Sequence, residues 1–156
     1  MKSLYYLILL FITSLLGCIR DPVFQEKAYI ENQTGYDIQL VKYGKNSPSS
    51  WDTIRMKSNE KKEVYSEGGM GRKKDPNTNT FSLWKGQPVD SVVVSFNESI
   101  KVTHLAQQHQ LTSRKNLIFY NDARNVLNPK SYTMSSSNNI YTINYIFTVQ
   151  DYLNSQ

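Results

Sequence analysis

The sequence predicts an all-β domain, an antiparallel β-sandwich of about seven or eight strands, set behind a short apolar leader helix. Three observations carry this prediction. Apolar residues recur at every second position along much of the chain, most clearly in Tyr141, Ile143, Tyr145, Phe147 and Val149. Breaks rich in Gly, Asn, Ser and Pro separate the alternating runs, as turns separate strands. Beyond the leader, no stretch places apolar residues at helical spacing over about ten residues.

The leader comes first. Lys2 is its single charge, and an apolar run of 13 residues follows from Leu4 to Leu16, interrupted only by Thr13 and Ser14. Such a run makes about 20 Å of helix, whereas crossing a bilayer takes about 20 residues, so it serves export better than permanent spanning. It ends in Leu15-Leu16-Gly17-Cys18, and Cys18 is the only cysteine of the chain. An apolar residue three before a cysteine, with a small residue next to it, resembles the lipobox of bacterial lipoproteins. The resemblance implies cleavage before Cys18 and a diacylglyceryl group on its thiol, with further acylation of the new amine. A single acyl chain binds a membrane only marginally, and two or three hold it there. Acylation would also remove an unpaired thiol from an oxidising compartment. The plainer alternative is an ordinary signal peptide with a stray cysteine.

Cleavage at that point removes residues 1–17 and leaves 139, enough for one domain with a core of its own. With no disulfide available, hydrophobic burial has to carry the fold. The chain has a formal charge of +5, of which Lys2 is lost with the leader, and its basic residues are scattered. That distribution reads as a solvated surface more than a nucleic-acid footprint. Ile19 to Lys27 has no sustained period and is expected to be a tether, with residues 18–27 forming the lipidated cysteine and linker and 28–156 the domain. Nine flexible residues typically span about 15 to 18 Å. Asp21 is the only acid between Cys18 and Glu26, which leaves open whether the outer-membrane anchor faces the periplasm or the cell surface.

Within the domain, Ala28 and Ile30 alternate with Tyr29 and Glu31, and Gln33-Thr34-Gly35 supplies a turn before Tyr36, Ile38 and Leu40 share a face. Gly44 to Ser50 reads as a loop, and Ile54 and Met56 as the next strand. Lys61 to Ser66 is so charged that it is expected at a sheet edge, where lysine discourages pairing with another molecule. Glu67 to Thr80 is the longest interruption, and loops of that length are more often functional than structural. Phe81 to Trp84 is a short strand. Val92, Val94 and Phe96 then form a hairpin with Ile100, Val102 and His104 around Asn97-Glu98. Ala106 to Asn116 is polar, a loop or a single helical turn; Leu117 to Tyr120 reads as a further strand, Asn121 to Val126 as a turn or short helix stopped before Pro129, and Ser131 to Asn139 as irregular. The last strand, Tyr141 to Val149, is expected near the middle of a sheet with its aromatic face on the core. The whole reads as an immunoglobulin-like sandwich.

Three groups of stretches, Tyr29-Ile30-Glu31-Asn32-Gln33-Thr34, Val94 to Val102, and Tyr141-Thr142-Ile143 with Phe147 to Tyr152, resemble the small, Tyr- and Asn-rich lipoproteins of Bacteroidota. They cover about a quarter of the domain. The likeness implies a compartment and a β fold, and it implies no activity. Asp52-Thr53-Ile54 and Asp90-Ser91-Val92 are similar to the triplets those bacteria use for protein O-glycosylation, which makes Thr53 and Ser91 candidate acceptors on exposed faces.

Chemistry is sparse. His104 and His109 are five apart, which puts them on opposite faces of a strand and about 140° apart on a helix, so neither geometry makes a metal pair. His104 continues the Ile100 and Val102 face and is expected to be a satisfied strand-end histidine rather than a ligand. Gly68-Gly69-Met70-Gly71-Arg72-Lys73-Lys74 lacks the spacing and the hydroxyl residue of a phosphate-binding loop. No Gly-x-Ser-x-Gly elbow is present. No catalytic residue, cofactor or metal is therefore expected. The sequence points to a non-catalytic binding or structural lipoprotein of the cell envelope, partnered by the membrane through Cys18 and by an envelope protein or glycan. The alternative is a carbohydrate-binding accessory in which Trp51 and Trp84 offer flat faces to sugar rings; less favoured is a hydrolase of unfamiliar type.

Overall fold

Alternation of buried and exposed side chains organises two sheets around one core. The computed structural model describes residues 23–44, 47–70, 83–84, 89–107 and 116–156, without the side chains of 47–51 and 70. The strands are β1 (Val23–Gln33), β2 (Ile38–Gly44), β3 (Ser47–Met56), β4 (Lys61–Met70), β5 (Val89–Phe96), β6 (Ile100–Leu105), β7 (Leu117–Ile118), β8 (Thr133–Ser137) and β9 (Ile140–Thr148). A helix α1 (Val149–Ser155) closes the chain. One sheet has four strands in the order β4-β1-β9-β8, and the other has five in the order β3-β2-β5-β6-β7. The arrangement is sandwich-like and mostly antiparallel.

On β1 the inward positions are Glu26, Ala28, Ile30 and Asn32, and on β9 they are Tyr141, Ile143, Tyr145 and Phe147. The register sets Ala28 beside Ile143, Ile30 beside Tyr145 and Asn32 beside Phe147. Across from them lie Leu40 of β2, Val92, Val94 and Phe96 of β5, and Val102 of β6. Full burial of such a side chain contributes about 1.5 to 3 kcal/mol. β9 lies between β1 and β8, and the charged β4 lies at a sheet edge, as their sequences predict. The β5–β6 hairpin also forms as expected, with Phe96 opposite Ile100.

Several features differ from the sequence expectation. β1 pairs with β9 in parallel, as β6 does with β7, so the sandwich is not wholly antiparallel. Alternation sets which face of a strand is buried and is silent on its neighbour. β1 opens at Val23, well inside the stretch expected to be a tether, because Val23 to Lys27 pair with Ser66 to Met70. The same ladder makes Glu67–Met70 strand rather than loop, and Gly69 gives room to the Phe24 ring, whose Cζ would lie 2.7 Å from an added Cβ. Ser47 to Ser50, expected in a loop, belong to β3. Thr133–Ser137, read as irregular, is β8, turned onto β9 by Asn138 and Asn139 with φ of 48° and 63°. A two-residue turn with both φ positive matches the twist of its strands, and asparagine tolerates that conformation. Val149 leaves the strand and starts α1, where the Asp151 carboxylate accepts from the Thr148 N–H at 2.7 Å and hydroxyl at 3.0 Å. Nine strands are thus found among the described residues. Leu83 and Trp84 form a buried turn, and residues 71–82 and 108–115, which hold most of the Glu67 to Thr80 loop and His109, lie outside the described residues.

The chain from Phe119 to Tyr132 crosses between the sheets and seals one side of the core. Asn125, fully buried, donates from Nδ2 to the Leu105 and Ile118 carbonyls at 2.9 and 3.0 Å and accepts from the Leu127 N–H at 2.7 Å. The Tyr132 and Tyr145 hydroxyls donate to the Val126 and Arg124 carbonyls at 2.7 and 2.6 Å. These bonds satisfy backbone groups that a buried crossing would otherwise orphan.

Candidate functional site

Three turns converge at the Gln33 end of β1, and buried polar side chains hold them. The Asn32 amide donates to the carbonyls of Tyr36 at 2.7 Å and Lys57 at 2.8 Å, while its Oδ1 accepts from the Thr34 N–H and hydroxyl at 3.1 and 2.7 Å. Asp37 takes the Lys57 ammonium at 2.7 Å and the Ser58 N–H at 3.2 Å. Its own N–H donates to Asn97 Oδ1 at 3.2 Å, and the Asn97 N–H returns to the Asp37 carbonyl at 2.9 Å. The Lys57 hydrogen bond, followed by that from Ser58, holds the Asp37 carboxyl below the usual carboxylate range. Asp37 in turn raises the Lys57 ammonium above its ordinary value.

Between these turns lies a depression of about 200 Å³, lined among others by Gln39, Arg55, Glu60, Ser95, Asn97 and Glu98. Its floor follows from strand register: Gln39 of β2 faces Arg55 of β3 on one side and Ser95 of β5 on the other. Its rim includes two residues in the left-handed region, Asn97 at φ 46° and Glu98 at φ 61°. Asparagine tolerates that region, whereas glutamate is strained there. Among the described residues neither the Arg55 guanidinium nor the Glu98 carboxylate makes an ion pair. The depression therefore offers a free cation, a free anion and neutral hydrogen-bonding groups on a rigid frame. That set suits a small polar group of a ligand or partner. None of these residues stands out in the sequence; the turn asparagines Asn59 and Asn97 are the only local signal.

The residues singled out from sequence lie elsewhere. His104, near the end of β6, is satisfied as expected, its Nδ1 accepting from the Val126 N–H at 3.1 Å, and it is also buried against Phe147. Burial, with a smaller contribution from the Arg124 charge, lowers its pKa to about 3. Trp84 is only 5% exposed and packs in the core, with the Lys42 ammonium 5.2 Å from its ring centre, so it offers no open face to a sugar. Lys42 points inward as well, 5% exposed against 55% for Asp52, its ion-pair partner at 2.9 Å. Thr53 and Ser91 are both partly exposed, Thr53 on the edge strand β3 and Ser91 on the interior strand β5. Cys18 and the Trp51 side chain lie outside the described residues. Among the described residues no group of three His, Cys, Asp or Glu could hold a metal ion, and no helix is long and apolar enough to cross a membrane.

No protein-family model, curated protein or solved structure matches this chain. Its function rests on its own residues.

Proposed function

We propose that this chain is a lipoprotein, held at a bacterial outer membrane by acyl chains on Cys18, whose β domain is a non-catalytic binding or structural module of the cell envelope. The observation that carries the anchor is the apolar run closed by Leu15-Leu16-Gly17-Cys18, with no other cysteine in the chain. Support for a binding role comes from the depression at the Gln33 end, where Arg55 of β3 and Glu98 of the β5–β6 turn stand unpaired among the described residues, beside turns already locked in place. Preorganised polar groups lose little freedom when a partner arrives. The carbohydrate reading loses Trp84 as a platform, since that ring is in the core. Glycosylation belongs to the same compartment, with Thr53, on an edge strand, the more accessible acceptor; intact-mass measurement before and after Thr53→Ala reads it directly.

The test is metabolic labelling with palmitate and fractionation of cells carrying wild type or Cys18→Ser. Wild type takes up label and stays with membranes after a high-salt wash, and Cys18→Ser does neither. A Cys18→Ser product that remains membrane-bound overturns the anchor. Protease shaving of whole cells then separates surface display from a periplasmic orientation. Cross-linking in intact cells tests the binding role, which falls if several chemistries recover no partner.

A further inference from the structure

We infer that the Val23 end of the sandwich rests on the lipid surface and that the Arg55–Glu98 depression is presented on the side away from it. The inference rests on the acylated Cys18 proposed above and adds to it an orientation and a contact surface. Val23 opens β1 and is 66% exposed; Ile140 opens the neighbouring β9 and is 37% exposed. The two strands run parallel with Gln25 opposite Ile140, and the Gln25 N–H donates to the Asn139 carbonyl at 2.9 Å, so both apolar residues stand at the same end.

Exposure alone does not choose this end. Val149 and Leu153, 50% and 52% exposed, form a comparable pair on α1 at the other end. The length of chain decides. Only four residues separate Cys18 from Val23, a reach of about 17 Å when fully extended. The eleven residues of β1 span about 35 Å, and the depression lies at its far end, among turns bonded to Asn32. A tether of that reach keeps Val23 near the headgroups and cannot carry the far end down to them while the strands stand upright. The β8–β9 turn beside Val23 and Ile140 is itself uncharged from Ser137 to Asn139, whereas Arg55, Lys57, Glu60 and Glu98 line the depression at the far end.

The experiment uses the full-length lipidated protein in vesicles of phosphatidylethanolamine and phosphatidylglycerol containing a doxyl-labelled lipid. Cys18 is consumed by its thioether, so Ser137→Cys and Ser99→Cys each introduce one free thiol for a fluorophore, the first at the Val23 end and the second at the depression end. The Ser137 label is expected to be quenched roughly threefold or more over the Ser99 label. Equal quenching, or stronger quenching at Ser99, in protein that sediments with the vesicles overturns the orientation. Failure to sediment overturns the anchor itself, a separate result. Adding Val23→Ser and Ile140→Ser should leave sedimentation intact and narrow the difference between the labels; an unchanged difference removes these two side chains as the contact.

Discussion

At the Gln33 end of β1, buried polar atoms bind the backbone of neighbouring turns; at the Val23 end, charged side chains are buried between the sheets. Asn32 makes four hydrogen bonds within its own turn and to the β3–β4 turn. Lys42, buried against the Trp84 ring, reaches outward to the half-exposed Asp52, and Glu26 faces the core from the opposite sheet. The difference is one of what each arrangement secures. A neutral amide bonded on both sides fixes loop geometry without bringing a charge out of water, and it builds the rigid rim of the depression. The Lys42–Asp52 pair buries its ammonium while its carboxylate stays half exposed, so the ammonium recovers its desolvation cost only in part and is sensitive to loss of its partner.

The largest expected effect is common to both ends and sets the baseline for comparing them. His104 is neutral in the fold until about pH 3, whereas in the unfolded chain it takes up a proton below about pH 6.5. Its contribution is therefore complete above pH 6.5 and falls as the pH drops towards 3, by up to about 5 kcal/mol, of which about 3 kcal/mol is lost by pH 4. Denaturant unfolding from pH 7 to 4 should show that loss, and His104→Gln should flatten it. Next comes Asn32→Ala, which strands buried donors and acceptors and should cost about 3 kcal/mol; a cost below about 1 kcal/mol would erase the contrast between the ends. Asp52→Asn deprives the Lys42 ammonium of its carboxylate, yet Asp52 is half exposed, so about 2 kcal/mol is expected from the shift in urea midpoint. Glu98→Gly should raise stability by roughly 0.5 kcal/mol by relieving the left-handed glutamate, while weakening partner recovery in cross-linking. Arg55→Ala, on an exposed site, should move stability by less than about 0.5 kcal/mol and still reduce that recovery.

Legibility followed the range of the interaction. The inward faces of β1, β5, β6 and β9 could be read from alternation, and the edge position of β4 from its lysines. β8 and α1 were missed although their signals are local: Asn138-Asn139 is a turn that tolerates positive φ, and Thr148-x-x-Asp151 is a helix start. The depression could not be read, because Gln39, Arg55, Ser95 and Glu98 come from three strands and a turn, and only strand pairing makes them neighbours.

By itself the sequence determined an all-β architecture, which residues face inward along most strands, and an apolar N-terminal run followed by the single cysteine, since these are properties of neighbouring residues and of composition. Tertiary structure alone decided that β1 lies parallel to β9, that Trp84 and Lys42 are buried, and that one end of the sandwich carries a charged depression. Those outcomes depend on which strands meet, and a period-two pattern is compatible with many partners.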